Sequence, residues 1–121
     1  MSNTKALVIA CAALAAGSAF AQYSGAALQR DIQSTDREKN VAAIYFISGV
    51  VDQTTMISNT LSFTSESYDK TLFFCIPETV KLIDIYAVVK ARMEKPLIAL
   101  SEPAVTHVTR AVRDFWPCKK P

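Results

Sequence analysis

The chain predicts a small all-α domain of four helices, or slightly more, held by one intrachain disulfide behind a cleaved leader. Three observations carry this. Apolar residues recur at spacings of three and four along nearly the whole chain. Capping residues and prolines punctuate that pattern where helices start and stop. Only Cys75 and Cys118, in the strings LFFCIPE and DFWPCKKP, remain once the leader is removed.

The leader sets the compartment. Met1 to Lys5 is short and carries one positive charge, Ala6 to Ala16 is apolar, and Gly17-Ser18-Ala19-Phe20-Ala21 ends in an Ala-x-Ala signal. Cleavage is expected between Ala21 and Gln22, which directs the protein to the periplasm. The apolar run falls short of the roughly 20 residues a bilayer needs, and no later stretch reads as long and uncharged enough to span one. Val8-Ile9-Ala10-Cys11 mimics a lipoprotein box, but only five apolar residues precede that cut, so lipidation of Cys11 is the weaker reading.

Residues 22–121 suffice for one domain and are too few for two. A chain of that size buries roughly two thirds of its unfolded surface, an adequate core and no more. Twelve basic residues face eleven acidic ones after Lys5 leaves, with no clustered basic run, which argues against nucleic acid as a partner. Two cysteines in an exported chain read most simply as a disulfide. Zinc usually needs four close ligands, whereas this chain offers two cysteines, one histidine and no Cys-x-x-Cys, so neither a metal nor another cofactor is expected.

The first helix starts at Ser24 as a cap and contains Ala27, Leu28 and Ile32. Thr35-Asp36-Arg37-Glu38 has capping-box spacing before the second, whose inner face is expected to be Val41, Ile44, Tyr45, Ser48, Val51 and Thr55. Gly49 lies inside that run, where a glycine costs about 1 kcal/mol against alanine, so it is expected to admit a close-packed helix. Ser58 to Thr71 breaks the pattern and reads as the longest irregular piece, with room for a short extended segment over Thr60 to Thr64. Pro77 fits the first turn of a third helix, which Val80, Ile83, Ala87 and Met93 carry to Pro96. Ser101-Glu102-Pro103 opens a fourth, with Val105, Val108, Ala111, Val112 and Phe115 inward, ending before Pro117. Helices three and four lying antiparallel would bring Cys75 to Cys118.

The run FCIPETVKLIDIYAVVKARMEKP, followed by LSEPAVTHVTRAVRDFWPC, together with Phe46-Ile47-Ser48-Gly49-Val50-Val51-Asp52, resembles the Rap/Tai family of periplasmic immunity proteins, which protect bacteria from type VI secretion amidases. The resemblance covers roughly Ala26 to Cys118. It implies a helical, often dimeric domain that binds an injected peptidoglycan amidase and blocks its cleft without chemistry of its own. Candidate contacts are Phe63, Tyr68 and Asp69 in the irregular segment and Arg92, Glu94 and Lys95 before the fourth helix. Each has a plainer reading: Phe63 as a core plug, the charges as solvated surface.

Two rival functions compete with this reading. Catalysis would need partners for Asp52, Glu78, Asp84 or Asp114, which all fall at helix-surface or capping positions, and His107 reads as a half-buried helix residue. No nucleophile elbow or phosphate loop occurs among only three glycines, so an enzyme is not expected. A periplasmic stress chaperone, or an orphan binding protein, is the second rival; it would hold many clients weakly where an immunity protein holds one tightly. Ile47 and Val50, off the expected inner face, and Trp116 suggest a homodimer.

Overall fold

The computed structural model describes residues 23–96 and 98–120. The leader and the Ala21–Gln22 junction lie outside them. Among the described residues four helices follow in order: α1 (Gly25–Gln33), α2 (Arg37–Thr64), α3 (Leu82–Met93) and α4 (Ala104–Phe115), with one 3-10 turn at Lys70–Leu72. Among the described residues there is no strand, only two isolated bridges, Ser24 with Pro103 and Phe74 with Pro117.

α1 begins as its sequence indicates, with the Ser24 hydroxyl accepting from Ala27 N at 3.2 Å and Leu28 and Ile32 buried. Its carboxy-terminal carbonyls, which have no partner inside the helix, are bound by Asn40 of α2: Nδ2 reaches Asp31 O at 2.8 Å and Ser34 O at 2.9 Å. The cap of α2 is Asp36, whose carboxylate takes Glu38 N at 3.0 Å; Thr35 does not have that role.

α2 continues to Thr64, so irregular structure starts at Ser65 rather than Ser58. The hydroxyls of Thr60 and Thr64 bond back to the carbonyls four residues earlier, at 2.9 Å each, which satisfies them without leaving the helix. At 28 residues α2 is long and apolar enough to cross a membrane by length and composition, correcting the expectation that no such stretch follows the leader. Part of it packs into the core, through Ala43, Ile47, Val50 and Val51.

That face differs from the expected one. Val41 and Tyr45 are exposed, and Ile47 and Val50, read as off-face, are inside. α2 is apolar on nearly every side, so periodicity offers two stripes and the neighbouring helices choose between them. α3 shifts likewise: Ile85, Val89 and Met93 are buried and Ile83 is exposed. In α4 Val108, Ala111 and Val112 are buried as expected, while Val105 and Phe115, at the edges of the stripe, face out.

Pro77 does not open α3. Its carbonyl accepts Val80 N at 3.0 Å in a separate turn, and α3 starts at Leu82, where the Asp84 carboxylate takes Lys81 N at 2.9 Å. At the other end of α3 the Met93 carbonyl is bound by Gln29 Nε2 of α1 at 2.8 Å.

Ser101 does not cap α4. The first helical N–H, Ala104 N, donates to Tyr23 O at 2.9 Å, while Gly25 N and Ala26 N donate to Glu102 O at 2.7 Å and Leu100 O at 2.9 Å. The opening residues of α1 thus clasp the α3–α4 connection. Beneath the clasp His107 is 1% exposed, with Nε2 2.9 Å from Ala99 O. Gly25 makes this possible, since a Cβ there would stand 2.6 Å from the imidazole ring. Gly49 has no such role: it is exposed, and a Cβ on it would meet nothing within 4 Å.

The far end of α4 is fixed by the Cys75–Cys118 disulfide, with Cα atoms 4.9 Å apart. Its geometry is not that of antiparallel helix ends. Cys75 precedes α3 by a full turn segment, and Cys75 N donates to Trp116 O at 2.9 Å beside the Phe74–Pro117 bridge. Arg92, near the end of α3, reaches Asp114, near the end of α4, at 3.4 Å, whereas a strict antiparallel pair would set Arg92 against the start of α4. In the chain-entropy model such a bridge contributes roughly 4 kcal/mol, a large share of a total of about 5–15 kcal/mol.

The two glycines give opposite predictions in urea denaturation. Gly25→Ala forces a methyl into the His107 ring and should cost about 1–3 kcal/mol, whereas Gly49→Ala should add about 1 kcal/mol by helix propensity alone.

Candidate binding surface

The end of α2 projects as an apolar arm. Met56 and Phe63 are 62% and 90% exposed, and Ile57 and Leu61 are partly open. Phe63 is therefore no core plug; its ring is presented to solvent at the last turn of the helix. The chain turns back through Ser65, whose N–H bonds Leu61 O at 3.0 Å, into the segment carrying Tyr68 and Asp69.

Tyr68 and Asp69 hold that segment in shape. The Tyr68 hydroxyl lies 2.7 Å from Ser58 Oγ, and its ring stacks on Phe73 with centroids 5.7 Å apart. The exposed Asp69 carboxylate accepts from Thr71 Oγ1 at 2.6 Å and Thr71 N at 2.9 Å, capping the 3-10 turn. The Thr71 hydroxyl first, and its backbone N–H second, hold the Asp69 pKa below the usual carboxylate value.

Arg92, Glu94 and Lys95 form a second group, at the end of α3. Glu94 and Lys95 are exposed in the turn that closes the helix, Glu94 N on Lys90 O and Lys95 N on Arg92 O, both at 3.1 Å. The six candidates therefore make two surfaces and not one: Tyr68 lies near Ile76 and Pro77, ahead of α3, and Arg92 lies at its other end.

Sequence reading missed the groove between α3 and α4. It has a volume of about 420 Å³ and is bounded by Ala87, Ala91, Arg92, Lys95, Ala111 and Phe115 among others. Ala87 and Ala91, one turn apart on α3, gave no signal of it. Also missed was the clasp, for which Gly25 directly after a helix cap was the cue.

The carboxylates weighed for catalysis are not brought together. Asp114 faces Arg92, Asp84 caps α3, and Asp52 and Glu78 are exposed. His107 is buried outright rather than half-buried, and its nearest carboxylate, Glu102, is 3.9 Å away and bound at 2.6 Å to Arg110. Among the described residues no group of three or more His, Cys, Asp or Glu is placed to hold a metal ion.

Near the clasp, Tyr23 packs edge-on against Phe46 at 4.7 Å and donates its hydroxyl to Asp31 Oδ2 at 2.6 Å. Burial first, then the hydrogen bond to the carboxylate, pushes its phenol well above the ordinary range. A raised folded-state pKa favours the neutral phenol, so its contribution is complete below the unfolded value and is lost as pH rises through the folded one. Stability should therefore fall as pH climbs above about 10. Tyr23→Phe should cost about 1 kcal/mol at neutral pH and flatten the alkaline loss, as read by denaturation at several pH values.

A family model described as Rap1a immunity proteins matches residues 3–118, nearly the whole chain. No curated protein and no solved structure matches it.

Proposed function

The chain belongs to the Rap1a immunity protein family, a membership that implies immunity against a toxin effector, and we propose that it acts in the periplasm by binding and inhibiting a type VI secretion peptidoglycan amidase. In this reading residues 1–21 are a cleaved signal peptide and residues 22–121 the immunity domain. The protein does no chemistry; it covers the toxin's cleft and so protects the cell wall.

The observation that carries the reading is the family match from residue 3 to residue 118. The surface supports the mode of action. An aromatic residue 90% exposed at the end of a helix fixed in a disulfide-closed domain is the kind of anchor that fills a partner's pocket at little cost in conformational entropy. Phe63, with Tyr68 and Asp69 shaping the segment behind it, is the proposed centre of the contact.

Co-expression tests this. Cells carrying a periplasm-directed amidase effector of the type VI class should survive with the full chain and lyse without it; lysis in both cases, across the effectors of the source organism, would remove the amidase reading. Phe63→Ala should weaken binding about tenfold or more and leave the melting temperature unchanged, because that ring buries almost nothing in the free protein.

The homodimer belongs to the same reading. The outer side of α2 carries Tyr45, 72% exposed, and Met56 on either side of the open Gly49, where another helix can come close. Tyr45→Glu should shift the mature protein from dimer to monomer in sedimentation; a wild type that stays monomeric at high concentration would dismiss this contact.

A further inference from the structure

The disulfide that closes the domain is approached from one side. Cys75 is exposed and forms part of the wall of a crevice of about 380 Å³, bounded also by Thr55, Ser58, Tyr68, Lys70 and Pro77. Cys118, just past the end of α4, is 8% exposed. A volume of that size holds a small ligand. Thiol–disulfide exchange proceeds by attack of a thiolate on one of the two sulfurs, and access helps to decide which. The crevice therefore presents Cys75 for attack and leaves Cys118 as the leaving group.

The surrounding charges favour the same direction. Among the described residues Lys70 is the one charged side chain of the crevice, and it has no ion-pair partner. Lys119 and Lys120, both exposed, follow Cys118 directly. The Asp69 carboxylate, which feels Lys120, is already engaged by Thr71. Cations near a cysteine stabilise its thiolate, and a better-stabilised thiolate leaves faster.

Opening the bond does not by itself part the two segments. Cys75 N donates to Trp116 O at 2.9 Å, and Phe74 and Pro117 form a backbone bridge beside it. These contacts keep the two cysteines adjacent without the sulfur–sulfur bond, so exchange is a local event that needs no global unfolding.

We propose that Cys75 is a site of reversible S-thiolation by a small anionic thiol of the glutathione class. The thiolate attacks Cys75 Sγ and a new sulfur–sulfur bond forms there. The bond to Cys118 breaks, and its electron pair leaves on Cys118 Sγ, which takes a proton from solvent. The incoming thiol is oxidised to a mixed disulfide while Cys118 is reduced to a thiol. Return attack by Cys118 expels the small thiol and restores the original bond. The adduct occupies the crevice that Tyr68 also lines, so thiolation and the segment behind Phe63 share one space.

The test treats the oxidised protein, purified after expression of the full chain, with reduced glutathione in native buffer. Samples are quenched with acid at early times, before a second glutathione resolves the adduct; free thiols are then alkylated and peptides mapped by mass spectrometry. The expected pattern is glutathione on Cys75 and the alkyl label on Cys118, in about tenfold excess over the reverse, at a rate that dilute urea leaves unchanged. Glutathione on Cys118, equal labelling of both cysteines, or no adduct until denaturant unfolds the protein overturns the proposal. Thr55→Trp narrows the crevice from an exposed position on α2 and should slow the adduct about tenfold. Lys70→Gln removes the cation and should slow it about threefold. Wild-type rates in whichever of these two variants folds, as judged by circular dichroism, would also overturn it.

Discussion

The structure depends on α4 being fixed at both ends. At its start, the N–H of Ala104 is held by the Tyr23 carbonyl, and two further backbone bonds join Gly25 and Ala26 to the connection before it. At its end, the disulfide and the Cys75–Trp116 bond attach the segment that leads into α3. A helix terminus leaves backbone groups that an apolar core cannot satisfy. Here those groups are met by residues distant in sequence, and the same device recurs where Asn40 closes α1 and Gln29 closes α3. Loss of one helix end would therefore expose polar groups on another element as well. That linkage makes a core of modest size behave as a unit.

Such rigidity suits a protein that works by contact. Ordering flexible loops and side chains on association subtracts from affinity, and a surface held in place beforehand avoids much of that cost. The α2 arm, braced behind Phe63 by the Tyr68–Phe73 stack and the Asp69 cap, is held in this way.

Four helices, the Ser24 cap and the disulfide were legible because each has a local signature: periodicity, a capping hydroxyl before an apolar run, and two cysteines in a chain that reads as exported. The inner faces of α2 and α3 were not, because both helices are apolar on several sides and only their packing partners break the tie. The polar end of α2 read as loop because Thr60, Ser62 and Thr64 look like turn formers, yet their hydroxyls bond within the helix. Gly49 drew attention by sitting inside a helix, while Gly25, whose missing side chain admits His107, looked like an ordinary first residue. The caps at Thr35 and Ser101 failed for one reason. The backbone groups they were assigned to satisfy were taken by a nearer carboxylate in one case and by the Tyr23 carbonyl in the other. Of the binding surface, the sequence named Phe63 and the charged residues at the end of α3 but not the groove between α3 and α4, whose small residues carry no local signature.

The central claim, that this chain neutralises a cell-wall amidase by binding it, is tested most directly by enzyme titration. Residues 22–121 would serve as bait in lysate of the source organism, and the retained amidase would then be assayed on purified peptidoglycan as the protein is added back. The account predicts a linear fall in hydrolysis that reaches zero near one protomer per enzyme. Retention of no amidase, or hydrolysis undiminished at saturating protein, would contradict it.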